Sequence, residues 1–286
     1  MKGAVQMHGK PVAEAVFADL KPRIDALVAA GHSPGLGTIL VGDDAPSVRY
    51  IAMKQEKCAE LGLTSPHIKL AADATQAEVV AAIRTFNDDP AVSAMLLQYP
   101  IPDHLDYEAA LAEMDPDKDV DGAHPFNMGR LALSMPGPVP CTPAGIEAML
   151  AHYDIAVSGK HVVILGRGFT IGRPLSILLS QKRSTANAAV TVVHTGVANW
   201  ADYSRDADVF VAAAGVPGIV QPEHIKPGGV VVGAGVRYEG RTLLPDVAEE
   251  CEDVAGWITP RVGGVGPTTI AMLFRNLVEA AERRAA

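Results

Sequence analysis

Cysteine is scarce in this chain, and basic residues are outnumbered. Cys58, Cys141 and Cys251 are odd in number and widely spaced. No C-x-x-C pair or Cys/His ligand spacing is present, so neither a disulfide framework nor a bound metal is expected. Reduced, mostly buried thiols in a cytoplasmic protein are the default reading of such a set. The nine histidines are scattered, with no H-x-x-x-H pair, which again points to no metal. With 24 Lys and Arg against 33 Asp and Glu the net charge is −9, so no overall positive field exists to draw in nucleic acid. Long apolar runs are missing too. Stretches such as Val209 to Ala214 are far shorter than a membrane span. The opening residues Met1 to His8 lack the apolar core of a signal peptide. No internal repeat, heptad array or low-complexity tract is visible.

What is present is an alternation of apolar strand-like runs with amphipathic helical stretches, the pattern of a parallel α/β sheet. A chain of 286 residues has room for two domains or one large one. Strands are expected at 37–42, 67–70, 94–98, 160–165, 190–194, 209–213 and 230–232. A helix is expected over 47–61, with Asp44 as its cap and Pro46 in its first turn. Others are expected over 75–86, 143–153, 175–179 and 268–284. Residues 114–143 form a polar, Pro-rich region that reads as a long loop, of the kind that is often functional. A domain boundary is placed after it, near the 143–153 helix.

The most informative stretch is the buried strand Lys160 to Leu165, followed by Gly166-Arg167-Gly168-Phe169-Thr170-Ile171-Gly172-Arg173-Pro174. Strand, glycine turn and helix start bring backbone N–H groups and a positive helix end to one point, which suits a phosphate. The spacing is G-x-G-x-x-x-G, one residue longer than the usual dinucleotide fingerprint. Arg167 and Arg173 would serve a dinucleotide carrying an extra phosphate. A tight turn that binds nothing would share these residues.

Other candidates are less specific. Ser47, Tyr50 and Lys54 share one helix face, which continues through Cys58 and Leu61. A lysine turned toward an apolar interior loses water and becomes a usable acid–base group. From spacing alone an ordinary solvated lysine is the commoner outcome. Gln98 closes a strand where parallel sheets present groups to ligands. Its amide can accept from a lysine and donate to a substrate, or simply satisfy loop backbone. Asp115, Asp117, Asp119 and Asp121 alternate like a calcium loop, but the required glycine and glutamate are missing. A solvated acidic turn, or a single aspartate aimed at an amide-bearing ligand, fits better. His194 and Thr195 follow a strand where a cofactor ribose could lie, and a hydrogen-bonded loop histidine fits as well. Gly263 to Thr269 form a second glycine loop, suited to close approach of a ligand or to a plain chain crossover.

Taken in order, the pieces resemble the bifunctional methylenetetrahydrofolate dehydrogenase/methenyltetrahydrofolate cyclohydrolase family over nearly the full chain. They are Val41-Gly42-Asp43-Asp44 with Ser47, Tyr50 and Lys54; Gln98-Tyr99-Pro100; Lys118-Asp119-Val120-Asp121-Gly122 with Asn127 and Gly129-Arg130-Leu131; Pro140-Cys141-Thr142-Pro143; the Gly166 turn; and Gly263-Gly264-Val265-Gly266-Pro267.

The resemblance implies an α/β fold of two domains. One is an N-terminal three-layer α/β folate domain, residues 1–143 plus 268–286, to which the C-terminal helix returns. The other is a Rossmann-type dinucleotide-binding domain, residues 144–267, with the active site in the cleft between them. It implies NADP-dependent oxidation of 5,10-methylenetetrahydrofolate to the methenyl form, then hydrolysis to 10-formyltetrahydrofolate. Lys54 would be the central acid–base group and Gln98 its hydrogen-bond partner. Tyr50 would stack on the folate, and Asp121 would bind the pterin edge. Ser47, Gly264 and Pro267 would contact substrate. Gly166, Arg167, Gly168, Thr170, Ile171, Gly172, Arg173, His194, Thr195 and Val236 would contact the cofactor. A cytoplasmic homodimer joined through the cofactor domains is implied, with no nucleic-acid or membrane partner.

The chain departs from the family at Gly168 (commonly serine), Gly233-Ala234-Gly235 (commonly Asp-Val-Gly), Val262 (commonly proline) and Tyr99 (commonly leucine). NADP stays favoured over NAD because Arg167 and Arg173 remain and Thr195 can offer a hydroxyl. The alternatives are a dehydrogenase with weak cyclohydrolase activity and a non-catalytic dinucleotide-binding protein.

Overall fold

The computed structural model describes residues 3–240 and 242–286; residues 1, 2 and 241, which fall inside the expected domain spans, lie outside the described residues. The chain divides into two compact units, Met1–Ala15 with Pro140–Met272 and Val16–Val139 with Leu273–Ala286.

The chain opens with a short strand, β1 (Val5–Gln6), and a long helix, α1 (Gly9–Ala29). Nothing in the sequence reading anticipated α1, because Pro11 and Pro22 interrupt it. Its apolar residues Val12, Val16, Leu20, Ile24 and Leu27 nevertheless recur at helical spacing and are buried. Next come β2 (Leu36–Val41), α2 (Ala45–Glu60), β3 (His67–Leu70), α3 (Gln76–Asp88) and β4 (Ala94–Leu97). These strands form a parallel sheet of order β3-β2-β4. Every residue of β2 and β4 is buried, as expected where both faces are covered. Ile39, Val41, Met95 and Leu97 pack with Val79, Ala82, Ile83 and Phe86 of α3. Thr75 closes a capping box with Glu78 at the start of that helix. Two short helices follow, α4 (Tyr107–Ala112) and α5 (Pro125–Ala132). The second corrects the expectation of a long loop: His124 caps α5, its ring accepting from Phe126 N at 3.0 Å.

The other unit contains α6 (Cys141–His152), β5 (His161–Leu165), α7 (Gly172–Ser180), β6 (Ala189–Val193), α8 (Trp200–Ser204), β7 (Val209–Ala212), β8 (Val230–Gly233), the antiparallel hairpin β9 (Val236–Glu239) and β10 (Thr242–Pro245), and β11 (Trp257–Ile258). Its six-stranded sheet has the order β1-β11-β8-β7-β5-β6, and every pairing is parallel. Val162 and Ile164 enter one core and Val163 and Leu165 the other, so β5 is sandwiched from both sides. The strand order reverses at β5, which lies between β6 and β7. In a doubly wound sheet this is where a ligand crevice opens beyond the carboxyl ends of the strands.

The last helix, α9 (Val265–Ala285), begins in this unit. From Leu273 it belongs with residues 16–139. Phe274 meets Phe17 at 5.7 Å between centroids, and Glu282 pairs with Arg23 at 2.7 Å. The division differs from the expected spans at the N-terminus. Residues up to Ala15 go with the six-stranded sheet because β1 pairs with β11, and Tyr153 Oη donates to His8 O at 2.9 Å.

Candidate active site and dinucleotide cradle

Helix α2 starts where the sequence indicates. Pro46 occupies its first turn, and Asp44 Oδ2 accepts from Ser47 N at 3.0 Å and from Ser47 Oγ at 2.7 Å. Ser47 is thus buried, with its hydroxyl engaged by the cap. Tyr50 and Lys54 follow on the same face; Tyr50 is 42% exposed and Lys54 half-buried. Further along, Cys58 is fully buried and Leu61 partly so.

Lys54 Nζ donates to Gln98 Oε1 at 3.0 Å. Gln98 stands one residue past β4 and is itself buried. Its Nε2 donates to Tyr99 O at 2.7 Å, which leaves only the carbonyl end of the amide for the lysine. The amide therefore acts toward Lys54 as an acceptor of fixed orientation.

Asp121 is the third member of this group. Burial raises its carboxyl above the ordinary aspartate value of 3.8, the positive charge of Lys54 opposes that rise, and Asp119 adds to it. Tyr107 is buried beside it, and its phenol is pushed up by burial and then by the charges of Asp121 and Asp119. The Tyr107 ring meets Tyr99 edge-on, 5.0 Å between centroids.

The loop that carries Asp121 is held by Lys118 and Asp119, to which the sequence reading gave no role of their own. Lys118 Nζ donates to three carbonyl oxygens, Phe86 at 2.7 Å, Asn87 at 2.8 Å and Asp89 at 2.9 Å, and so closes the C-terminal end of α3. Asp119 Oδ2 accepts from His124 N at 2.8 Å and Asn127 Nδ2 at 3.0 Å. Backbone bonds from Met95 N to Lys118 O and from Val120 N to Met95 O dock the loop on β4. The acidic run is therefore a built loop rather than a solvated turn. The only signal in the sequence was a lysine standing among alternating acids.

In the other unit, Gly166 ends β5 at a φ of 135°, and a Cβ there would lie 2.1 Å from Ala213 O. A Cβ on Gly172 would lie 2.1 Å from Gly166 O. At these two positions the turn thus admits backbone only, which lets N–H groups approach a phosphate closely. Helix α7 begins at Gly172, three residues earlier than the apolar pattern indicates, so its first N–H groups lie within the turn. Arg173 N donates to Gly168 O at 3.1 Å. Arg167, Gly168, Thr170 and Arg173 are exposed and Ile171 is half-buried. Neither arginine side chain has a hydrogen-bond or ion-pair partner among the described residues. His194 follows β6, its Nδ1 accepting from Gly196 N at 3.1 Å, and Thr195 is exposed. Val236 opens β9 and is 42% exposed. Gly264 is buried just before α9, and Pro267 lies in its first turn.

These features define a two-domain α/β protein in which one unit carries a strand–glycine turn–helix in a doubly wound parallel sheet and the other a cluster of Lys54, Gln98 and Asp121. The model of the tetrahydrofolate dehydrogenase/cyclohydrolase catalytic domain matches residues 7–121, and that of the family's NAD(P)-binding domain matches residues 140–285. The chain is 58% identical over 283 residues to the bifunctional protein FolD 1 of Salinispora tropica, covering 99% of this chain and 92% of that protein. It is 59% identical over 279 residues to the bifunctional protein FolD of Syntrophotalea carbinolica, covering 98% and 96%. Among solved structures, FolD of Campylobacter jejuni superimposes with a TM-score of 0.92 at 36% identity, covering 98% of this chain and 99% of that one. The Trypanosoma brucei enzyme, solved with NADP cofactor and inhibitor, gives 0.92 at 33% identity, covering 100% and 99%. The protein belongs to the tetrahydrofolate dehydrogenase/cyclohydrolase family.

Proposed function

We propose that the protein is a bifunctional enzyme of one-carbon folate metabolism. It oxidises 5,10-methylenetetrahydrofolate with NADP and hydrolyses the resulting 5,10-methenyltetrahydrofolate to 10-formyltetrahydrofolate. The observation that carries this reading is the Lys54–Gln98 hydrogen bond, with Asp121 electrostatically coupled to the same lysine.

The unit built on residues 16–139 is assigned the folate chemistry, and the six-stranded unit the cofactor. The cradle of Gly166, Gly168 and Gly172 with the first turn of α7 would hold the pyrophosphate, and Arg167, Arg173 and Thr195 the extra phosphate. Thr170, Ile171, His194 and Val236 complete the cofactor set. When bound, NADP supplies the acceptor for the hydride that leaves the methylene bridge. That step needs placement more than acid–base help. Within the unit built on residues 16–139, Tyr50 stacks on the folate, Asp121 takes the amino and amide edge of the pterin, and Ser47 lines the substrate.

In the second step water adds to the methenyl carbon, and the Lys54 side chain is the group assigned to take its proton. Gln98 holds Nζ in place through Oε1. The bond from that carbon to N5 then breaks, N5 takes up a proton, and the added oxygen becomes the formyl carbonyl. Cation plus water yields a neutral formamide and one released proton. Cytoplasmic location and a homodimer joined through the cofactor units complete the reading. The open edge strand β6, with Val192 38% exposed, is a surface suited to that association.

The test is a spectrophotometric assay with methylenetetrahydrofolate and either NADP or NAD. Faster formation of reduced nicotinamide with NADP, without accumulation of the methenyl compound, is expected. No reduction with either cofactor would sink the reading and bring forward the non-catalytic one.

Asp121→Ala gives a further expected result. Folate KM rises about 10- to 100-fold, the range of a lost charge-assisted hydrogen bond. The raised Asp121 pKa has a definite sign in stability as well. Its contribution is fully present below 3.8 and is lost as pH rises through the higher folded value. Asp121→Asn is therefore expected to raise the Tm of the free protein at neutral pH while folate binding weakens. An unchanged folate KM in Asp121→Ala would refute the pterin assignment.

A further inference from the structure

Asp246, the residue after β10, is completely buried in the six-stranded unit. Its Oδ2 accepts from Ala214 N at 2.6 Å and Gly215 N at 3.0 Å, in the loop that follows β7. Its backbone N donates to Gly235 O at 3.0 Å, in the loop that follows β8. Gly235 lies so close that a Cβ there would stand 1.9 Å from Asp246 Oδ2. Gly218 N to Pro245 O and Val220 N to Asp246 O, both 2.9 Å, fasten the far end of the same β7 loop. One residue thus ties together the two loops at the carboxyl ends of β7 and β8, its carboxylate holding the first and its backbone N–H the second.

Those loops flank the dinucleotide cradle. Ala213, the residue before the clamped N–H groups, is the one whose carbonyl presses on Gly166. Val236 follows Gly235 directly. In a doubly wound sheet the adenosine ribose turns toward the strand after the glycine turn, here β6, so the nicotinamide half extends the other way, over β7 and β8. Carboxylates are costly to bury, and Asp246 Oδ1 has no hydrogen-bond partner among the described residues. Burial raises this carboxyl, while the N–H groups of Ala214, Gly215 and Val216 counter the rise. A group kept at such cost, on no surface and in no core cluster, is acting on the backbone that it holds.

We propose that Asp246 is a positioning residue for the cofactor: its carboxyl holds the 214–215 loop against the Gly235 loop, which its backbone N–H fastens, and the two together form the wall that receives the nicotinamide half of the dinucleotide. The proposal rests on the reading of this unit as the NADP site. Asp246 touches neither cofactor nor substrate and acts through the loops.

The test uses the full chain and NADPH, titrated by its fluorescence. Hydrolysis of preformed methenyltetrahydrofolate, which consumes no dinucleotide, is measured alongside. Asp246→Ala is expected to weaken NADPH binding about tenfold or more, the range of two lost hydrogen bonds to a charged group, and to leave hydrolysis within about twofold of the parent. Asp246→Asn keeps an oxygen acceptor for the two N–H groups and is expected to bind within about threefold of the parent. Gly235→Ala, which pushes a methyl group onto Oδ2, is expected to weaken NADPH binding without removing the carboxyl, and it decides the matter if Asp246→Ala does not fold. Unchanged NADPH binding in Asp246→Ala or in Gly235→Ala would overturn the proposal. So would loss of hydrolysis in step with binding, because that is the mark of a general scaffold residue. Failure of the parent protein to bind NADPH would overturn the cofactor reading itself, a result distinct from any difference between variant and parent.

Discussion

Lys54→Met is expected to reduce hydrolysis of methenyltetrahydrofolate by about 10²- to 10⁴-fold, the usual contribution of a positioned acid–base group. The dehydrogenase is expected to keep its KM for NADP, so the methenyl compound should accumulate during oxidation in the variant. Methionine preserves most of the apolar stem that packs on the face of α2 and removes only the amine that meets Gln98 Oε1 at 3.0 Å. Gln98 cannot substitute for it, since an amide oxygen is too weak a base and its Nε2 is already engaged by Tyr99 O. Arginine at this position would keep a charge but could not give up a proton, so Lys54→Arg is expected to be as inactive in hydrolysis as Lys54→Met. Full hydrolytic turnover in either variant, measured as the decay of methenyl absorbance, would remove Lys54 from the mechanism.

The second large effect is expected at the cradle. Replacing Arg167 and Arg173 together by alanine should raise the KM for NADP about 100-fold and the KM for NAD by no more than about threefold, because only NADP carries the extra phosphate that two charge-assisted contacts would hold. Preference between the cofactors then collapses while methenyl hydrolysis continues unchanged. Both side chains are exposed and unpartnered among the described residues, so their loss leaves no buried group unsatisfied. Gly168 permits the converse change. A Cβ there would meet only Thr170 Oγ1, at 3.9 Å. Gly168→Ser should accordingly be tolerated and should lower the KM for NADP by adding a hydroxyl beside the phosphate. If the arginine pair were removed and the ratio of NADP to NAD efficiency did not move, these residues would have no part in cofactor choice.

Much of this organisation was legible in the residues. Asp44, Pro46 and the helical spacing of Ser47, Tyr50 and Lys54 place α2 within two residues of its observed start. The strand–turn–helix at Gly166 lies where it was expected, although α7 begins at Gly172 because glycine, arginine and proline form its first turn without an apolar signal. Helix α5 was hidden by proline and polar neighbours, and α1 by Pro11 and Pro22, which break the propensity pattern but are tolerated once the buried face has a core to pack against.

What the sequence determined by itself was whatever acts within a turn or a strand: caps, alternation, the glycine cradle, the helix face of Lys54. These depend on neighbours a few residues apart, and side-chain type alone specifies them. Only the tertiary structure decided the rest. Gln98 reaches Lys54 across 44 positions because β4 lies beside β2 in the sheet order β3-β2-β4, with α2 following β2. Lys118 reaches the end of α3, and Asp246 the loop after β7, across about 30 positions each. β1 joins a sheet whose next strand is β11, almost the whole chain away. Such partners are selected by which strands lie side by side and by the need of buried polar groups for hydrogen bonds, and neither requirement leaves a periodic mark on the sequence.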